Sequence, residues 1–148
     1  MGLDMFLIKK TYVYRYPTEK DDDNAPKLAI TYPGVKPERV TYIDERIAVW
    51  RKANAIHQWF VDNVQDGDDD QRDYYVSIDD LQRLRDVVNR VLANRSLARE
   101  LLPTQGGFFF GSLDYDQYYF NDLKYTKEIC ELAINEDTDG DYYYRADW

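Results

Sequence analysis

The chain's one histidine, His57, stands in Trp50-Arg51-Lys52-Ala53-Asn54-Ala55-Ile56-His57-Gln58-Trp59-Phe60-Val61, beside a carboxamide and two cations. These side-chain types suit the gripping of a phosphate. Arginine pairs bidentately with an oxyanion, lysine adds a point charge, and amide and imidazole supply hydrogen bonds. Imidazole could also serve as a general base, but no nucleophile stands at a telling spacing, and no residue is assigned a catalytic role. A lone histidine without a carboxylate cluster is too little for a metal site, so neither metal nor cofactor is expected. Read as a helix at about 100° per residue, the stretch puts Trp50, Ala53, His57, Phe60, Val61 and Val64 in one sector, with Asn54 on its flank. An apolar stripe carrying an imidazole is either core, with the ring satisfied by a hydrogen bond, or the wall of a pocket. The sequence leaves both open.

Two further features bear on that pocket. In Gly106-Gly107-Phe108-Phe109-Phe110-Gly111 the glycines permit close backbone approach and the rings could stack on a base. The Lys-Ser/Thr ending of a phosphate loop is missing, and at least one ring is expected to plug the core. Asp4, inside an apolar opening, must face solvent or pair with a cation, Arg51 or Lys52 being candidates. The candidate ligand-binding set is therefore Asp4, Trp50, Arg51, Lys52, Asn54, His57, Phe108 and Phe109. The aspartate runs carry less. Asp137-Thr138-Asp139-Gly140-Asp141 fails as an EF-hand, since Tyr142 and Trp148 stand where Gly and Glu are needed. Asp66-Gly67-Asp68-Asp69-Asp70 reads as a solvated turn.

The elements that would position these residues form an α+β pattern. β-branched and aromatic content makes residues 3–16 a strand, and Lys27 to Tyr32 a second strand across an acidic loop, together an N-terminal hairpin. Val40 to Ile43 is a short extended entry to a long helix from about Asp44, its N-cap, to Val64. Tyr74-Tyr75-Val76 is extended. Ser77-Ile78-Asp79-Asp80 opens a helix in the manner of a capping box, with Leu81, Leu84, Val88 and Val91 as its apolar stripe. Ser96 is expected to cap a short helix stopped by Pro103, and a last helix from about Asp116 to Ile134 carries Tyr119, Leu123, Ile129, Cys130 and Ala133. The expectation is one domain over residues 1–134, a small antiparallel sheet packed against about three main helices. Residues 135–148 are expected to form an acidic, aromatic and poorly ordered tail.

At 148 residues, 44% hydrophobic and 16% aromatic, the chain has the composition of a folded domain. A formal charge of −9 argues against direct nucleic-acid binding. It equally allows an acidic surface that imitates nucleic acid. The single cysteine, Cys130, excludes an intrachain disulfide and suits a reducing compartment. No apolar run approaches membrane-spanning length, so no membrane partner is expected.

Gly2-Leu3-Asp4-Met5-Phe6-Leu7, the Trp50–Val61 stretch, Leu102-Pro103 and Gly107-Phe108-Phe109-Phe110-Gly111 resemble the motifs of a family of small uncharacterised bacteriophage and prophage proteins. Tyr118-Tyr119 and Asp122-Leu123 extend the resemblance, which covers roughly residues 2–134. It implies a phage-related protein acting in the host cytoplasm, and implies no particular activity. The leading expectation is an accessory protein that binds a small phosphorylated or nucleotide-like ligand without converting it, in the service of counter-defence against a host nucleotide signal. One alternative is an acidic interaction protein that inhibits a host enzyme; another is a small hydrolase or phosphodiesterase using His57. Oligomeric state is left open.

Overall fold

The structure, a computed structural model, describes residues 2–13, 31–107, 110–136 and 139–148. Strand β1 (Asp4–Tyr12) pairs antiparallel with β2 (Tyr42–Arg51), Met5 opposite Trp50 and Leu7 opposite Ala48. The register then shifts so that Ile8 faces Arg46, leaving Ile47 as a bulge. Helix α1 (Asn54–Asn63) follows almost at once, then β3 (Tyr74–Val76), α2 (Ile78–Ala93), the short α3 (Ala98–Leu101), α4 (Gln117–Asn135) and β4 (Asp141–Asp147). The four strands run in the order β2-β1-β4-β3, each pair antiparallel. The chain thus has a small α+β fold.

Strand alternation sorts the sheet into two faces. Met5, Leu7, Ala48, Trp50, Val76, Tyr142, Tyr144 and Ala146 are all buried. Against them lie the α2 stripe of Leu81, Leu84, Val88 and Val91 and, from α4, Leu123, Ile129, Cys130 and Ala133. The capping box at Ser77 is formed, its hydroxyl accepting from the Asp80 amide and the Asp80 carboxylate accepting from the Ser77 amide. Lys9 continues the inward face of β1 as a buried charge. It is satisfied by Glu136 at 3.1 Å, which also accepts from the Tyr142 hydroxyl. A Cβ at Gly140 would come within 2.6 Å of Lys9 Cε, so glycine there makes room for the lysine stem. This network fastens the end of α4 to β1 and to the start of β4.

Four expectations are corrected. Asp44 is no helix cap: it lies in β2 across from Lys10, and residues 42–51 are strand, because pairing with β1 overrides the helical propensity of Glu45, Arg46 and Ala48. The strand beside β1 on one edge is therefore Tyr42–Arg51, and β4 takes its other edge, in place of the expected hairpin with Lys27 to Tyr32. Residues 27–30 lie outside the described residues; Thr31 and Tyr32 lie within them, Tyr32 in an isolated bridge to Val35. Ser96 caps no helix: it lies in a 3-10 turn, Arg95–Leu97, capped by Asn94, whose side chain accepts from the Ser96 amide, and α3 follows that turn without a side-chain cap. Residues 135–148 are not an appendage to a 1–134 domain, since β4 pairs with both β1 and β3 inside the sheet.

Candidate functional site

Where β2 hands over to α1, the backbone is held in an unusual conformation. Lys52 has φ +57°, in the left-handed region that a lysine rarely adopts and that costs about 1 kcal/mol or more. Its amide donates to the Leu3 carbonyl at 2.7 Å, and its own carbonyl accepts from the Asn54 amide at 3.0 Å. The lysine stem rests on two glycines: a Cβ at Gly111 would come within 3.0 Å of Lys52 Cβ, and one at Gly2 within 3.4 Å of Lys52 Cε. The Gly2 opening and the loop ending at Gly111, far apart in sequence, together form the bed of one cation.

Asn54 fixes the neighbouring wall. Its amide nitrogen donates to the carbonyls of Phe110 and Ser112, each at 2.9 Å, and its oxygen accepts from the Gln105 amide at 2.9 Å. Three of its four hydrogen-bonding positions are thereby committed to holding the backbone of Gln105, Phe110 and Ser112.

Between this junction and the first turns of α4 lies a cavity of about 280 Å³, lined by Arg51, Lys52, the start of α1, Ser112, Tyr118 and Asp122 among others. Arg51 pairs with Asp4 at 3.5 Å, yet its side chain stays 69% exposed. Helix α1 begins without a side-chain cap, and Ala55 and Ile56, whose first-turn amides have no intrahelical acceptor, line the cavity. Tyr118 is 80% exposed. Asp122, one turn further along α4, makes no side-chain hydrogen bond or ion pair among the described residues. Burial and, secondarily, nearby Asp116 push its carboxyl up to about 6. Asp116 itself caps α4, accepting from the Tyr119 amide.

A charge held against its preference costs stability, which gives a test. Between the ordinary carboxyl value of 3.8 and about 6 the folded chain binds the extra proton, so ionisation of Asp122 weakens the fold increasingly over that window and fully above it. Asp122→Asn should therefore raise the melting temperature by a few degrees at pH 7.5. The gain should vanish near pH 4. Equal melting temperatures at pH 7.5 would mean the carboxylate is well solvated.

The candidate residues divide sharply. Arg51 and Lys52 meet at the cleft, Asn54 builds its wall, and Asp4 stands behind Arg51 as its partner. Trp50 is core and no stacking surface: it is 2% exposed, its indole donates to Thr126 Oγ1 at 2.9 Å, and it packs between Phe60 and Tyr125. His57 is fully buried, with Nδ1 at 2.6 Å from the Tyr144 hydroxyl and Nε2 at 2.8 Å from Asp69 Oδ1. Phe110 meets the imidazole edge-on at 5.4 Å, so this ring does plug the core, and Trp148 lies at 5.9 Å. The core reading of His57 thus replaces the pocket reading. Phe108 and Phe109 lie outside the described residues.

Sequence reasoning missed three residues. Tyr118 and Asp122 stand four apart beside the predicted apolar stripe of α4, a spacing that puts them on one face, though it gives no hint that this face borders a cavity. Asp69 was hidden in the acidic run read as a solvated turn, of which Asp69 in fact holds His57 and Asp70 holds Arg72 and Tyr74. Among the described residues no helix is long and apolar enough to cross a membrane, and no cluster of side chains suits a metal ion. Comparison of the chain with known protein families, curated proteins and solved structures finds no match.

Proposed function

We propose that the protein binds a small phosphorylated ligand in the cleft at the start of α1, without turning it over. The observation that carries this reading is Lys52, kept in a strained left-handed backbone on a bed of two glycines at a cavity that it shares with Arg51. Residues held in strained backbone conformations cluster at active sites and ligand clamps. The uncapped first turn of α1 adds amide donors and the positive end of the helix dipole, both favourable to an oxyanion. A hydrolase reading loses its base, because His57 has neither exposed surface nor an unoccupied nitrogen. The cavity, near the lower end of the usual range for small-molecule pockets, suits a mononucleotide rather than a larger dinucleotide. The phage-like motifs extend the proposal to sequestration of a host nucleotide signal in the host cytoplasm, a role that needs affinity and no turnover.

Calorimetry with nucleoside monophosphates and the matching nucleosides is the direct test. The monophosphates should bind in the micromolar range and emerge unchanged by mass spectrometry, and the nucleosides should bind at least tenfold more weakly. Arg51→Ala combined with Lys52→Ala should weaken the monophosphates tenfold or more, about 1.4 kcal/mol or above. Binding of every monophosphate no tighter than millimolar would overturn the reading.

A further inference from the structure

The cleft is bipolar. Arg51 and Lys52 stand at the β2–α1 junction, whereas Asp122 lines the cavity from α4 with Asp116 and Asp114 near it. A ligand that were only an anion would be repelled by that second wall. Asp116 is committed to capping α4, and Asp114 is exposed to water. Asp122 is half-buried, and neither of its oxygens has a partner among the described residues. A half-buried carboxylate that takes no donor from the protein is free to take donors from whatever fills the cavity. Tyr118, one turn earlier on the same helix, lines the same cavity with a largely uncovered ring. Such a ring offers a stacking surface to a flat base.

Two parallel acceptors next to an aromatic face match one nucleobase better than the others. Guanine presents N1–H and the exocyclic N2 amine side by side, two donors with no acceptor between them. Adenine and cytosine each place a ring-nitrogen acceptor beside their amine, which would face a carboxylate oxygen lone pair to lone pair. We propose that the cleft selects a guanine mononucleotide, with the phosphate on Arg51 and Lys52, the base edge on the Asp122 carboxylate and the ring against Tyr118. This rests on the phosphate-binding reading above and adds the base to it. A carboxyl that releases its proton only near pH 6 is still mostly ionised at neutral pH, as two-acceptor recognition needs.

The test is calorimetric titration at pH 7.5 with guanosine, inosine and adenosine monophosphates, on the wild-type chain and on Asp122→Asn. Guanosine monophosphate should bind at least tenfold tighter than adenosine monophosphate, with inosine monophosphate, which keeps N1–H and lacks the N2 amine, between them. Asp122→Asn should weaken guanosine monophosphate at least tenfold and leave adenosine monophosphate within about twofold; a thermal melt of the variant confirms its fold. Equal affinities for the guanine and adenine forms, or an Asp122→Asn variant that binds guanosine monophosphate as well as wild type, would overturn base selection. The phosphate reading would stand in that case if Arg51→Ala and Lys52→Ala still weakened every monophosphate. Millimolar or weaker binding of all three would bring down both.

Discussion

A chain ended at Gly140 is expected to lose its cooperative fold. β4 is an inner strand, flanked by β1 from Asp4 to Lys10 and by β3 from Tyr74 to Val76. Its removal would leave an antiparallel β1–β2 ribbon with one bare inner edge and a three-residue β3 with no partner. It also takes away Tyr142, Tyr144 and Ala146, each 5% exposed or less. Tyr144 is the largest of these losses, because its ring stacks on Phe60 at 3.9 Å and 8° in the middle of the core. A fully buried large side chain stabilises by about 2 kcal/mol or more, and orphaned ladder groups add to the loss, against a whole-domain stability of roughly 5–15 kcal/mol. Circular dichroism melts of the truncated and full chains would show it: a sloping, non-cooperative trace for the former. A sharp transition within a few degrees of the full chain would make residues 141–148 a dispensable tail.

The parts of the fold legible in the sequence are those whose determinants are local. In α2 the capping box at Ser77 and the stripe Leu81, Leu84, Val88 and Val91 lie within one element, and the structure has both where the spacing put them. In α4 the same holds for the apolar positions Tyr119, Leu123, Ile129, Cys130 and Ala133, all buried in a helix that begins and ends within a residue or so of the expected bounds. β2 was misread because its determinants are not local. Trp50 falls inward either as a helix residue in register with His57 or as a strand residue alternating with Ala48. The bulge at Ile47 breaks the period-two pattern that would have decided between them. β4 has its clean alternation in Tyr142, Tyr144 and Ala146, but its partner strand is at the other end of the chain, and aspartates at both its ends give it the look of a solvated tail. At the site, the structure brings Arg51 and Lys52 to the rim of one cavity, as adjacent cations at a strand–helix junction can be whichever way the preceding backbone runs. Side-chain type misled for Trp50 and His57, whose polar atoms turn out to be satisfied internally by Thr126, Tyr144 and Asp69. A buried imidazole demands partners, yet sequence does not say that one lies twelve residues on and the other eighty-seven.

That imidazole gives the second large expected effect. Neutral His57 with its proton on Nε2 satisfies every group present: Nε2–H donates to Asp69 and Nδ1 accepts from the Tyr144 hydroxyl. Protonation would turn Nδ1 into a donor and leave the fully buried Tyr144 hydroxyl proton without an acceptor. Burial accordingly holds the His57 pKa below its ordinary value of 6.5, the Asp69 hydrogen bond and charge opposing only in part. Since the unfolded chain takes up the proton first, stability is complete above about 6.5 and falls as the pH drops below it, towards the lower folded value. His57→Ala should cost about 3–5 kcal/mol, from the cavity it leaves and from the stranded Tyr144 hydroxyl. At about 2–4 °C per kcal/mol, that is a fall of roughly 10 °C in melting temperature. Tyr144→Phe should cost less, about 1–3 kcal/mol, because the ring still packs on Phe60 and only the hydroxyl is lost. The part of the acid slope that begins at pH 6.5 should disappear in His57→Ala and persist in Arg51→Ala. In the folded fraction of His57→Ala, monophosphate affinity should match wild type, because the imidazole lies outside the cleft. Thermal melts from pH 5 to 8 with calorimetry below the melting point would separate the two roles. A near-wild-type melting temperature together with lost ligand binding would return His57 to a pocket.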